Sequence, residues 1–349
     1  MKIVRPDAQI IHRENTTPYQ FIEKIGRTCY KSTDKITDGS AVKFVTGLKN
    51  SKHYAMIEHY WVHIVVDAVP EDVKLGLEAL AENFFDRHGG YQDFTKFVQI
   101  THFNNLYISA PLRVFIEFDE LCEHTKNRGV SYSRNPVHDI MGAVAFKFPE
   151  LIDPHKWSTN SIASVVDDEE LFCDSMALDM CLFSKETLVK EQMKHRTHTI
   201  KFVCDRGVSH EFVRHRVASF AQESTRYCNY TKDKFGSEIT VIEPFFFVDG
   251  YLDKEHWSAR YGAWVSACEA AEESYNALIK DGATPQEARA VLPNSLKTEL
   301  IITANEEEWQ HIIDLRYTGV TGAPHPQMKE AMGIIVNELV YASKGRLHT

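Results

Sequence analysis

Apolar and polar positions change period several times along this chain, and each change predicts an element. Residues 60–69 (Tyr-Trp-Val-His-Ile-Val-Val-Asp-Ala-Val) and 106–118 (Leu-Tyr-Ile-Ser-Ala-Pro-Leu-Arg-Val-Phe-Ile-Glu-Phe) are dense in β-branched and aromatic side chains and predict strands. Ile200, Phe202 and Cys204 alternate like a third strand, and 239–247 adds a fourth. A helical period takes over at 71–87, where Val73, Leu77, Leu80 and Phe84 share one side. It returns at 255–281, where Trp257, Tyr261, Trp264, Cys268, Ala271, Tyr275 and Leu278 recur before Gly282. Thr284-Pro285-Gln286-Glu287 is a capping box with proline at the first helical position, opening a short helix that should close before Pro293. Asn305-Glu306-Glu307-Glu308 is a second capping signal, after which Trp309, Ile312, Ile313 and Arg316 fall on one helical face. An arginine on an apolar stripe needs an anion, unless it snorkels from a last turn where the helix dipole favours it.

Strands and helices are mixed without strict βαβ alternation, which predicts an α+β fold, a mixed sheet flanked by helices. No internal repeat, low-complexity stretch or Gly/Ser linker is visible, so the chain reads as a single domain, 1–349. Hydrophobic residues at 43% and aromatics at 11% suffice for a substantial core. The net charge of −10 argues against general affinity for nucleic acid or anionic membranes, so any phosphate should bind in a local pocket. The seven cysteines (Cys29, Cys122, Cys173, Cys181, Cys204, Cys228, Cys268) are odd in number, scattered and without a Cys-x-x-Cys, which suggests neither disulfides nor structural zinc and fits a reducing cytoplasm. The start lacks a signal-peptide apolar core, and runs such as 61–66 and 245–248 are too short to cross a bilayer.

Anion-binding groups concentrate at 214–227, Arg-His-Arg-Val-Ala-Ser-Phe-Ala-Gln-Glu-Ser-Thr-Arg-Tyr. Arg214, Arg216 and Arg226 offer planar forks suited to phosphate or carboxylate, and Ser219, Ser224 and Thr225 add hydroxyls. The flanking Val217, Ala218 and Phe220 make a merely solvated basic turn a poor explanation. Other chemistries fare worse. His210 and His215 are five apart, about 140° on a helix, where a zinc-protease helix needs its histidines four apart. His53 with Glu58-His59 has no complementary ligand set at a recognisable spacing, so no metal is expected. There is neither a Walker loop nor a Gly-x-Gly-x-x-Gly, so any dinucleotide is held in a non-Rossmann manner.

The segment Arg214–Tyr227 resembles the signature of the flavin-dependent thymidylate synthases: Arg-His-Arg, seven residues, Ser, then Arg-Tyr. His53 with Glu58-His59 is similar to that family's upstream His-x-Ser/Thr-x-x-Glu-His element. Arg289-Ala-Val-Leu-Pro293 resembles its Arg-x-x-Leu-Pro, and Asn305 through Leu315-Arg316 its late helix. The matches cover roughly 20–67 and 198–340 and imply the family's fold with a large insertion at about 70–195. In the other possible alignment Lys194-His195 takes the place of Glu58-His59. Where the family has Gln before the Arg-His-Arg and Glu after it, this chain has Glu211 and Gln222, a reversal that keeps the pair's charge; Glu223 is an alternative acid. Ala55 stands where a hydroxyl is usual.

The resemblance implies synthesis of dTMP from dUMP with 5,10-methylenetetrahydrofolate as carbon donor, FAD as hydride carrier and NADPH as reductant, in a homotetramer whose sites are shared between subunits. Arg316 and His53 are the implied catalytic residues, Arg316 by stabilising an anionic uracil. dUMP falls to Glu211, Arg214, Gln222, Glu223, Ser224, Thr225, Arg226, Arg289 and Arg316. FAD falls to Ala55, Glu58, Arg214, His215, Arg216, Gln222, Asn305 and His311. Cys228 is expected to be a small buried residue and not a nucleophile. The other readings of the same cluster are a nucleotide- or RNA-binding module and a related flavoprotein acting on another pyrimidine nucleotide. Acidity and the lack of interleaved surface aromatics count against the module.

Overall fold

A computed structural model describes residues 1–66, 97–102, 105–126, 136–157, 163–167, 184–232, 236–247 and 254–349. The expected helix at 71–87 lies outside them, as do Cys173 and Cys181. The elements, in chain order, are β1 (Lys2–Val4), β2 (Asp7–Ile10), α1 (Pro18–Cys29), α2 (Ser40–Asn50), β3 (Trp61–Val66), β4 (Gln99–His102) and β5 (Leu106–Pro111). Next come α3 (Leu112–Lys126), α4 (Pro136–Lys147), β6 (Ala163–Val166), α5 (Lys185–His195), β7 (Thr197–Asp205), α6 (Arg206–Phe212) and β8 (Ser219–Gln222). The chain closes with β9 (Thr240–Ile242), α7 (Lys254–Lys280), α8 (Pro285–Ala288), β10 (Lys297–Asn305), α9 (Glu306–Ile313), a π-helical turn at Asp314–Thr318, and α10 (Pro326–Ala342).

The class is α+β, with strands in two separate four-stranded sheets and a small parallel pair, β1 with β9. One sheet runs β2-β7-β10-β8 and the other β4-β5-β3-β6, and every pairing in both is antiparallel. The strand at 60–69 is present as β3, and the alternating Ile200, Phe202 and Cys204 point their side chains into the core from β7. The second expected strand is half right. It stops at Pro111, and Leu112–Lys126 is helical because Leu112, Phe115, Ile116 and Cys122 fall on one side of a helix and are all buried. Burial of that stripe outweighs the strand propensity of Val114, Phe115 and Ile116. The strand expected at 239–247 shortens to Thr240–Ile242, since Pro244 cannot donate to a ladder and a 3₁₀ turn follows at Phe245–Phe247.

The later helices form where the patterns put them. α7 buries Cys268 and Tyr275, but Leu278 is exposed and Ile279 packs in its stead. Gly282 ends that stretch at φ +96°, a conformation other residues resist. The capping box at Thr284 is complete, its side chain accepting from the Glu287 backbone while Glu287 accepts from the Thr284 backbone. One core gathers α1, α2, β3, β5, α3 and α4; a second gathers β7, β10, α9 and α10.

Candidate active site

The Arg-His-Arg segment is presented by a short helix and a short strand. Asp205 caps α6 by accepting from the Val208 amide at 2.8 Å, and its other oxygen accepts from Gln327 of α10 at 2.8 Å, so α6 is tied at its start. After Phe212 is buried in the second core the chain turns, Arg214 and Arg216 face solvent, and His215 between them is buried. β8 then pairs with β10, carrying Ser219 at one end and Gln222 at the other.

His215 is the hub. Its Nε2 accepts from Arg316 Nε at 3.1 Å; arginine has no acceptor, so the imidazole hydrogen sits on Nδ1 and donates to Glu308 Oε1 at 3.1 Å. Arg316 also donates from Nη1 to Glu211 Oε2 at 3.0 Å and from Nη2 to the Glu211 carbonyl at 3.2 Å. The anion that the stripe position demanded is therefore Glu211, and the guanidinium is fixed in one plane by three partners. Arg316 does not lie on α9 itself: Trp309, Ile312 and Ile313 are buried there, and the π-helical turn carries Arg316 past the core to a half-buried position. Gly319 ends this turn at φ +84°, where a Cβ would lie 2.9 Å from both the Gly322 carbonyl and Pro324.

His311 stacks edge-on against His215 with centroids 5.5 Å apart, and His215, Glu308 and His311 bring one donor atom each within 4.8 Å. Both nitrogens of His215 are already engaged, so His215 and Glu308 form a hydrogen-bonded support for Arg316, with His311 packed edge-on beside them. Asn305 is buried: its carbonyl oxygen caps α9 at Glu308 N, 2.9 Å, and its amide donates to the Lys194 carbonyl, 3.0 Å.

The upstream element reaches the same strand. Glu58 accepts from Ser219 Oγ at 3.0 Å and from Arg113 Nη1 at 2.7 Å. His59 is fully buried against Thr303 Oγ1 on β10 at 2.8 Å, and burial holds its pKa down at about 3. His53 is exposed, with Nδ1 2.7 Å from the Tyr30 hydroxyl, and Ala55 packs against the first core. Lys194-His195 lies elsewhere, with His195 between Ser109 and Thr101 on the other sheet.

The far end of β8 differs. Gln222 donates to Ser209 at 2.8 Å and Thr298 at 3.3 Å, so it and Glu211 bind separate partners and share no hydrogen bond. Glu223 is buried, accepting from Lys297 at 3.1 Å, with Lys31 at 3.5 Å. Lys297 also reaches Glu299 at 2.8 Å, as does Lys201 at 2.8 Å, and Lys31 bonds Glu299 too. Burial by itself would raise the Glu299 carboxyl, but the three ammonium groups hold it at about 2. Glu223 is thus a member of an ion network. Sequence reading missed this network, although Lys297 and Glu299 share a face by strand period. It missed Arg113 and Glu308 as well. Beyond it, Ser224 is half-buried, Thr225 is buried, and Arg226 extends over Tyr227 and donates to Gln286 at 3.1 Å, which leads toward exposed Arg289. Cys228 is a buried thiol pushed up to about 12 by burial and by Glu223.

Residues 177–340 match the family model described as thymidylate synthase complementing protein. The likeness to that family covers just under half of the chain. The matched stretch holds the whole Arg-His-Arg hub, β10 and the Arg316 turn, and leaves out 20–67. Among curated relatives, the flavin-dependent thymidylate synthase of Geobacter sulfurreducens is 36% identical over 111 residues, 32% of this chain and 43% of that protein. Those of Pyrococcus abyssi and Corynebacterium aurimucosum are 26% identical over 188 residues (54% of this chain, 68% of the relative) and 34% over 135 (36% and 52%). The chain therefore spans less than half of the Geobacter relative and about two thirds of the Pyrococcus one. A UMP/dUMP methylase, PolB from Streptomyces cacaoi, solved with 5-Br dUMP, is 20% identical with a TM-score of 0.38 over 52% of this chain and 90% of PolB, too loose a likeness to place residues. No helix among the described residues is long and apolar enough to cross a membrane.

Proposed function

We propose that the chain is a flavin-dependent thymidylate synthase, forming dTMP from dUMP with 5,10-methylenetetrahydrofolate as carbon donor, FAD as flavin and NADPH as its reductant, in a homotetramer in the cytoplasm. One observation carries the reading. Arg214 and Arg216 are exposed, have no acidic partner among the described residues, and flank the histidine that holds Arg316. In a chain of net charge −10, unpaired guanidiniums concentrated at one place are a receptor for phosphate. The names of the curated relatives and the family segment support the same reading.

The donor set suits FAD: Arg214 and Arg216 would hold its phosphates, with exposed His311 beside them, and the cofactor when bound supplies hydride transfer. This chain's residues do the rest. Ser224, Thr225, Arg226 and Arg289 hold the nucleotide phosphate and sugar. Arg316, already oriented by His215, places two N–H groups where negative charge gathers on uracil N3 and O4 as C5 becomes nucleophilic. Glu211 neutralises Arg316 before substrate arrives, so the pyrimidine must share or displace that carboxylate. Cys228 stays a thiol and forms no bond to C6. The test is direct. The purified protein should be yellow or take up FAD, dUMP should perturb the flavin absorbance, and dTMP should form when NADPH and 5,10-methylenetetrahydrofolate are added. A protein that binds no flavin refutes the proposal, and turnover of UMP in preference to dUMP reassigns the substrate.

A further inference from the structure

The two four-stranded sheets correspond strand for strand. In one, β3 pairs with β5 so that Trp61 faces Pro111 and His63 faces Ser109; in the other, β7 pairs with β10 so that Thr197 faces Asn305 and Thr199 faces Thr303. On the outer side Gln99 of β4 faces Ser109, as Ser219 of β8 faces Thr303. On the inner side Val165 of β6 faces Ile64, as Ile10 of β2 faces Ile200. The order β4-β5-β3-β6 thereby maps onto β8-β10-β7-β2, with every pair antiparallel.

What surrounds the sheets follows the same mapping. β5 runs straight into α3 as β10 runs into α9, and the first amide of each helix donates to an equivalent carbonyl, Leu112 to Tyr60 at 2.7 Å and Glu306 to Arg196 at 2.9 Å. α4 packs on β6 and α10 on β2, each opening on a proline. They bury residues at the same spacing, Ile140, Met141, Val144 and Ala145 against Ala331, Met332, Ile335 and Val336, one place further from the proline in α10. His63 bonds Ser109 at 2.7 Å as Thr199 bonds Thr303 at 2.8 Å.

The crossings are reciprocal. β2 precedes the first set in sequence yet joins the second sheet, and β6 precedes the second set yet joins the first. Two residues before β3, His59 reaches across to Thr303 at 2.8 Å; two residues before β7, His195 reaches across to Ser109 at 2.8 Å. Ser109 and Thr303 are equivalent by register. Matching order, register, helix positions and exchanged contacts are what a pseudo-twofold pair of copies produces.

Among the described residues, the anion-binding groups lie on the second copy. Counting from the helix starts, Cys122 stands where the second copy has Arg316. β4 leads to β5 through 103–105, whereas 223–296 intervene between β8 and β10 and bring Ser224, Thr225, Arg226 and Arg289. The first copy instead reaches β8 at both ends, with Glu58 on Ser219 and Lys31 beside Glu223.

We propose that the chain is two tandem copies of one folding unit, that the first has lost its own site, and that it serves the second as a built-in partner, giving one nucleotide and flavin site per chain at the junction of the copies. The ligand part rests on the function proposed above; the duplication does not. Titration of the full-length protein with FAD, then dUMP, should saturate at one of each per chain. Glu58→Gln should weaken FAD about tenfold, as expected for a charge-assisted contact, while Cys122→Ser should leave affinity and turnover at parent values. Two sites per chain, or an unaffected Glu58→Gln protein, overturns the silent-partner assignment. Absence of any FAD binding refutes the function, and the duplication is then judged by melting. His59→Ala and His195→Ala should each lower a single transition shared by the whole chain; either variant melting one half while the other keeps its parent temperature overturns the clasped pair.

Discussion

The two sheets share a frame and differ in what hangs on it. At the end of β5 the chain enters a regular helix whose inward face is Leu112, Phe115, Ile116 and Cys122, all apolar and buried. At the end of β10 it enters α9, whose face begins in the same way with Trp309, Ile312 and Ile313 but then loosens into a π-helical turn that carries Arg316 out of the core to Glu211 and His215. The contrast shows how a site arises from a packing unit. A π-helical turn converts a core position into a partly desolvated cation held by Glu211 and His215, and a long segment after β8 adds Ser224, Thr225, Arg226 and Arg289.

The largest expected effect breaks this contrast at its centre. Arg316→Ala and Arg316→Lys should fold and keep FAD, yet lose about a hundredfold to a thousandfold in dTMP formation at saturating dUMP, the usual cost of one preorganised donor. Lysine fails because a point charge cannot hold both Glu211 and His215 while facing a pyrimidine. Steady-state kinetics check it, and turnover within a few-fold of the parent would make Arg316 a structural residue.

Acid should act on the features the two sheets have in common. Burial holds His59 and His195 at about 3, well below their usual value of 6.5, so the unfolded chain takes up protons that the folded chain refuses. Their contribution is complete above pH 6.5 and is lost as pH falls from 6.5 toward 3, by up to about 1.4 kcal/mol per pH unit for each histidine. Urea unfolding between pH 7 and 4 should show that slope, and His59→Asn should reduce it by about half. A flat stability over this range would mean that water reaches both rings.

Asn305→Ala should cost about 1 kcal/mol of stability through the lost cap on α9, read as a lower urea midpoint. Its FAD affinity should fall less than that of Arg216→Ala, since the Asn305 side chain is occupied by Glu308 and Lys194. The smallest effect is expected at Cys228: Cys228→Ser should turn over within a few-fold of the parent, because a thiol pushed up to about 12 supplies almost no thiolate at neutral pH. Complete loss in a folded, FAD-binding Cys228→Ser protein would restore a nucleophilic role.

Much of this was written locally. The strands at 61–66 and 197–205, the long helix before Gly282, both caps at Thr284 and Asn305, and the density of donors at 214–226 follow from period, turn chemistry and residue type, which act over a few neighbouring residues. Local signals also misled at 112–118, where a β-branched run became a helix because its buried stripe packs as one. Tertiary structure alone decided the rest. That Glu211 pairs with Arg316 while Gln222 turns to Ser209, that Glu223 is enclosed by lysines, and that Glu58 meets Ser219 depend on contacts between positions tens to hundreds of residues apart. The repeat is the clearest case. Backbone hydrogen bonds set the register of both sheets without regard to side-chain identity, so Trp61 can stand for Thr197, and Cys122 for Arg316, with the frame intact and the sequence likeness gone.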